Sequence, residues 1–175
     1  MNRRKHSRGL TLVELMTTAS VAALTLTLGV PSFQHALTGA QRGQAASELS
    51  ASMLLARSEA VRRGVPVTVC PSGDGVACTA DGAPDWSNGW ILFADRNGDS
   101  VFDGGQDDRI QHVQLAHGAF SLTAQPPIAR GVRFSASGLP DAAGRYRYCD
   151  EQQSRELALS TLGRIDLVDT GPGCR

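Results

Sequence analysis

One carboxylate, Glu14, stands inside an otherwise uncharged apolar run from Leu10 to Val30. A charge at membrane depth is costly and normally has a partner. A cationic neighbour keeps such a group ionised, whereas an unpaired carboxylate in a helix bundle takes up a proton. Glu14 is therefore read as an ion-pairing handle. A second set is Asp95, Asn97, Asp99 and Asp103, which place side-chain oxygens at positions 1, 3, 5 and 9 of a calcium-type loop, with the carbonyl of Val101 at position 7. The pattern departs at position 6, where Ser100 replaces Gly, and at position 12, where Gln106 replaces Glu. The plain alternative is a loop of Asx turns. A third set is Arg130, Arg133, Arg145, Arg147, Arg155 and Arg164. Arg145 and Arg147 alternate with Tyr146 and Tyr148, so the two arginines share one strand face. Such a face can hold phosphates; its ordinary use is a solvated strand face with intramolecular ion pairs.

The four cysteines, Cys70, Cys78, Cys149 and Cys174, all follow the apolar run. An even count in an exported segment suggests two disulfides among three connectivities. Cys70–Cys78, closing a short loop, and Cys149–Cys174, tying down the C-terminus, are the expected pairs. The thiols and His35, His112 and His117 show no spacing typical of a metal site, and no nucleophile stands beside a base. Gly73-Asp74-Gly75 is a loop between two cysteines, with no helix following to make a phosphate cradle. Catalysis by this chain is not expected.

These groups need elements to position them. Residues 1–9 carry Arg3, Arg4, Lys5 and Arg8 and no acid. A basic flank before an apolar run of about 20 residues orients it with the N-terminus inside. Thr17, Thr18, Ser20, Thr25 and Thr27 can return their hydroxyls to the helix backbone. Beyond Pro31, Ala46, Leu49, Met53, Ala56 and Ala60 recur at spacings of three and four, marking one buried helix face. Gly64 and Pro66 end that helix. Leu10 to Arg63 thus reads as one long helix, bent near Pro31 and weakened at Gly39 and Gly43.

From Val65 the period becomes two. Short strands are expected around Val67/Val69, Trp90–Phe93, Ile110/Val113, Phe120/Leu122, Val132/Phe134, Tyr146/Tyr148, Leu157/Leu159 and Ile165/Leu167, separated by Gly, Pro, Asn and Asp clusters. Leu162-Gly163-Arg164 is the turn of the last hairpin. The fold class is α+β, antiparallel sheet packed on a helical spine. With 175 residues, 41% of them apolar, the chain suits one anchor and one domain of roughly 110 residues. Losing residues 1–9 leaves 13 Lys and Arg against 17 Asp and Glu, a formal charge of −4. That is not the broad basic excess of a general nucleic-acid binder.

The stretch Arg8-Gly9-Leu10-Thr11-Leu12-Val13-Glu14-Leu15 resembles the class III signal of type IV pilins and type II secretion pseudopilins. The resemblance implies a leader, 1–9, cut by a prepilin peptidase between Gly9 and Leu10, with N-methylation of Leu10. Glu14 becomes the fifth residue, and Pro31 falls where the family often has a helix-kinking proline. Leu10 departs from the usual Phe. It further implies a transmembrane and filament-core helix over 10–31, an amphipathic spine over 32–64 and a periplasmic β-rich domain over 65–175. Ala56-Arg57-Ser58-Glu59-Ala60, Trp86, Gly89-Trp90-Ile91-Leu92-Phe93, Val132-Arg133-Phe134 with Gly138, and Ser160-Thr161-Leu162-Gly163-Arg164 resemble the GspH/FimT group of minor pilins. That group implies a pilin-like fold with a β-sandwich-like pair of sheets. The partners implied are the peptidase, other pilins or pseudopilins and an inner-membrane assembly platform, with no resident cofactor. Some members of the group bind DNA through Gly-Arg-x-Arg in the late turn. Here the turn reads Gly163-Arg164-Ile165-Asp166, so the first arginine matches and an acid occupies the second position. The expected role is a structural subunit that starts or caps a type IV pilus. Its alternatives are a type II secretion pseudopilin and, less favoured, a DNA-binding minor pilin.

Overall fold

A computed structural model describes residues 11–79, 85–115, 120–149 and 153–172, with side chains described for all of these except 27–43, 153 and 169–172. The first element is helix α1, Leu12–Arg63. Thr11 begins it as an N-cap: its hydroxyl oxygen accepts the Glu14 N–H at 3.3 Å. The hydroxyls of Thr17, Thr18, Ser20 and Thr25 donate to carbonyls three or four residues back, as expected for polar residues in an apolar helix. The backbone is helical through Pro31, Gly39 and Gly43. Gly64, at φ +66°, ends the helix by donating its N–H to the Ala60 carbonyl.

The chain divides between Gly39 and Ala40 into two units. In the first, every described side chain from Thr11 to Leu26 is exposed, Leu12, Val13, Leu15, Met16, Val21, Leu24 and Leu26 included. Among the described residues, no helix is long and apolar enough to cross a membrane. The span expected over 10–31 lies partly outside them.

The second unit is built on the helix face that its period marks. Ala45, Ala46, Leu49, Ser52, Met53, Ala56 and Ala60 are buried there. Among the described residues eight strands follow: β1 Val67–Pro71, β2 Gly89–Ala94, β3 Asp108–Gln114, β4 Ser121–Ala124, β5 Val132–Phe134, β6 Gly144–Cys149, β7 Gln153–Leu159 and β8 Ile165–Pro172. They form two antiparallel four-stranded sheets, in the orders β3-β2-β1-β5 and β4-β6-β7-β8. Each expected strand is present, β1 starting two residues later than the alternation from Val65 suggests.

Both sheets and the helix share one core. Trp90 of the first sheet donates its indole N–H to Ser52 Oγ of α1 at 2.9 Å, which explains a buried serine on an apolar face. Trp86 lies in a short 3-10 turn before β2 and donates to the Ala129 carbonyl. Its ring meets Tyr146 of the second sheet edge-on at 5.0 Å and Trp90 at 6.4 Å. These aromatic contacts stitch sheet to sheet, each adding about 0.5–1.5 kcal/mol beyond area burial. β2 is buried along its whole length because its other face is covered too. There Cys70, Ile91 and Phe93 form a smaller cluster with Cys78 and Phe102. That double coverage is why Trp90-Ile91-Leu92-Phe93 shows no polar alternation.

Candidate functional site

Gly9 and Leu10, where cleavage and methylation are expected, lie outside the described residues. Glu14 sits in the first turn of α1, exposed, where a carboxylate also favours the positive end of the helix. Pro31 is on the helical backbone, and its side chain lies outside the description.

Cys70 and Cys78 form a disulfide, as expected. It closes the loop whose Asp74 carboxylate accepts the N–H groups of Val76 and Ala77, and the Val76 bond leads in holding that carboxyl below its ordinary range. Cys149 ends β6 and is disulfide-bonded. Cys174, its expected partner, lies outside the described residues.

The acidic loop is organised as Asx turns. Asp95 is fully buried; one of its carboxylate oxygens accepts the Gly98 N–H at 2.7 Å, the other the Ser100 N–H and the Thr68 hydroxyl. Asn97 accepts from the Asp99 N–H, Asp99 from Val101 and Asp103 from Gly105. Asp107, half the loop away, accepts from the N–H groups of Arg96 and Asp103. The loop's own amides thus engage Asp95, Asn97, Asp99 and Asp103, the side chains that the calcium pattern picks out. Among the described residues no group of three or more His, Cys, Asp or Glu is placed to hold a metal ion. Ser100, where the calcium pattern has Gly, adopts φ +62°.

Arg145 and Arg147 do share the outer face of β6, and Tyr146 and Tyr148 point into the core. The residue sequence reading missed is Glu156. β7 pairs with β6 so that Glu156 lies opposite Arg147. Its carboxylate accepts from Arg147 Nη2 at 2.8 Å and Nε at 3.1 Å, and from Arg145 Nη1 at 3.2 Å. The Arg147 bonds lead in holding the Glu156 carboxyl below its ordinary range, against the opposing effect of burial. Arg164 donates from Nε to both oxygens of Asp166, at 2.8 and 3.1 Å. Of the six arginines in the candidate set, Arg145, Arg147 and Arg164 are thus each held by a carboxylate, and for Arg164 it is Asp166, the acid in the motif's second arginine position. Arg133 is used inside the fold as well, donating to the Gly98 carbonyl.

The other motif segments converge at one corner. Arg57 of α1 donates to the Gly163 carbonyl at 3.4 Å. Gly138 and Gly163 both have positive φ, and a Cβ on Gly138 would stand 2.9 Å from Val61 and 3.3 Å from Arg57 Cγ. The helix segment around Arg57 and the two late turns therefore form one joint, which holds the last hairpin against the helix.

The geometry describes an exposed apolar helical segment with one carboxylate in its first turn, and a separately cored β domain whose charged groups are largely satisfied internally. Residues 45–163 match the family model described as type II transport protein GspH. The type IV minor pilin FimU of Pseudomonas aeruginosa (strain PAO1) is similar in structure in two crystal forms, at 21% identity in both. The TM-scores are 0.55 and 0.54, covering 76% of this chain and 94% and 99% of those chains. The minor pseudopilin EpsH from the type 2 secretion system of Vibrio cholerae is similar at 12% identity with a TM-score of 0.51, covering 74% of this chain and 97% of that chain. At these identities the likeness is one of fold. No curated relative matches the sequence.

Proposed function

The chain belongs to the GspH family of type II transport proteins, and on that premise we propose that it is a minor pilin that helps start or cap a type IV pilus. Its family and its pilin-like fold make it a structural subunit of a type IV pilus or a type II secretion pseudopilus. The observation that carries the finer reading is the first unit: a helix whose apolar side chains are exposed from Leu12 to Leu26 and whose single charge over that span is Glu14. Such a surface needs lipid or other helices around it.

In this reading the leader is cut after Gly9 by a prepilin peptidase, and the amine of Leu10 is methylated. Residues 10–31 hold the chain in the inner membrane, with the β domain in the periplasm, until an assembly platform extracts it into a filament. Glu14 then pairs with the cationic N-terminus of a neighbouring subunit. The test is Glu14→Ala, with processing and incorporation followed separately. Cleavage between Gly9 and Leu10 is expected to persist and incorporation to fall sharply; normal incorporation would overturn the role given to Glu14. A pseudopilin of type II secretion is the alternative, separated by which filament the chain enters. DNA capture is the weaker reading, because Arg145, Arg147 and Arg164 are held by Glu156 and Asp166.

A further inference from the structure

β3 is the last strand of its sheet, so one edge of its backbone has no strand partner among the described residues. Its register places Gln111 opposite Leu92 and Val113 opposite Trp90, so Gln111 and Val113 share the face turned to the core. Between this edge and the helix positions Gln44 and Glu48 lies a cleft of about 300 Å³. Val113, Leu115 and Phe120 give it an apolar lining. The Gln111 side-chain oxygen is buried and has no hydrogen-bond donor among the described residues. Such an orphaned acceptor marks a place where a donor belongs. Gln44 and Glu48 are one helical turn apart, so both reach the cleft from the same side.

Among the described lining residues Glu48 is the one Asp, Glu, Lys or Arg. Glu48 is half-buried, and the ion pairs among the described residues, centred on Glu59, Asp108, Glu156 and Asp166, do not include it. Arg109, on the same strand, is turned away to donate to the Gly75 carbonyl, and the His112 ring stacks against Gly75. A carboxylate and an orphaned amide oxygen together call for a group that only donates. Among side chains, lysine and arginine have such heads, and their apolar stems suit a lining of Val, Leu and Phe. A free strand edge beside the cleft suits an extended backbone.

We propose that the cleft between α1 and the free edge of β3 receives an arginine or lysine side chain carried on an extended segment of a companion subunit. Glu48 is the counter-ion, Gln111 the second acceptor and β3 the backbone template. This rests on the reading of the chain as an assembling subunit. The test uses the full chain in detergent micelles and the peptide Ac-Val-Arg-Val-NH2, followed by NMR of the glutamine side-chain amides. Saturable shifts at Gln44, Gln111 and Gln114 are expected, weakened about tenfold by Glu48→Gln and by replacing the peptide's arginine with glutamine. Absence of saturation, equal binding of the neutral peptide, or undiminished binding by Glu48→Gln would each overturn it. An unchanged melting temperature in Glu48→Gln establishes that the variant is folded. Glu14→Ala leaves the titration untouched, so failure of this site and failure of the assembly reading are read separately.

Discussion

Glu156 shows how one residue decides the use of two others. Arg145 and Arg147 face solvent, yet both close on its carboxylate, which is 7% exposed. Removing that charge leaves two arginines unanswered. Glu156→Gln is expected to destabilise the domain by about 1–2 kcal/mol, below the cost of a fully buried pair because the arginines are solvated; urea unfolding measures it. Glu59 gives a pH dependence with a definite sign. Hydrogen bonds from Arg62, and then Arg63, lower its carboxyl to about 2. The folded value lies below the unfolded one of about 4.3, so its contribution is full above that value and lost as pH falls toward 2. Glu59→Gln is therefore expected to melt below the parent at pH 7 and to match it near pH 2. Ser100 holds a left-handed backbone that a β-branched residue resists. Ser100→Val is expected to cost about 1–3 kcal/mol, seen as a lowered melting temperature.

At the scale of elements, α1 and the two sheets depend on each other through a few large side chains. Met53 is fully buried where the helix meets the core. Met53→Ala is expected to cost about 2–5 kcal/mol by leaving a cavity, with calorimetry as the measure. The disulfide acts differently. Cys70 lies in β1 and Cys78 in the following loop, eight residues apart. Closing so short a loop stabilises by about 2–3 kcal/mol through the unfolded chain. Cys70→Ala with Cys78→Ala is expected to lower stability by that order while leaving the Trp86–Tyr146 contact in place, because the bond sits over the smaller cluster on the other face of β2. Near-ultraviolet circular dichroism would retain its tryptophan bands.

For the whole molecule, local pattern carried a great deal. Helix period, strand alternation and turn residues follow from backbone geometry acting over a few residues, so α1, all eight strands and the late hairpin could be read in order. The apolar run with Glu14 needed no tertiary knowledge, since its oddity is visible in the chain itself. The short loop between Cys70 and Cys78 likewise made that bridge the simplest one to expect. Strand order and register were a different matter, because they depend on contacts between residues far apart in the chain. Only the pairing of β6 with β7 brings Glu156 opposite Arg147 and turns a candidate phosphate face into an internal ion pair. Only the folded loop shows Asp95 buried and bonded to the amides of Gly98 and Ser100. The sequence by itself determined the elements and the lone carboxylate of the apolar first unit. The tertiary structure decided which charges are already answered within the domain and left Glu48 and Gln111 facing a cleft, because partnership between distant side chains is a property of register and packing that no local spacing encodes.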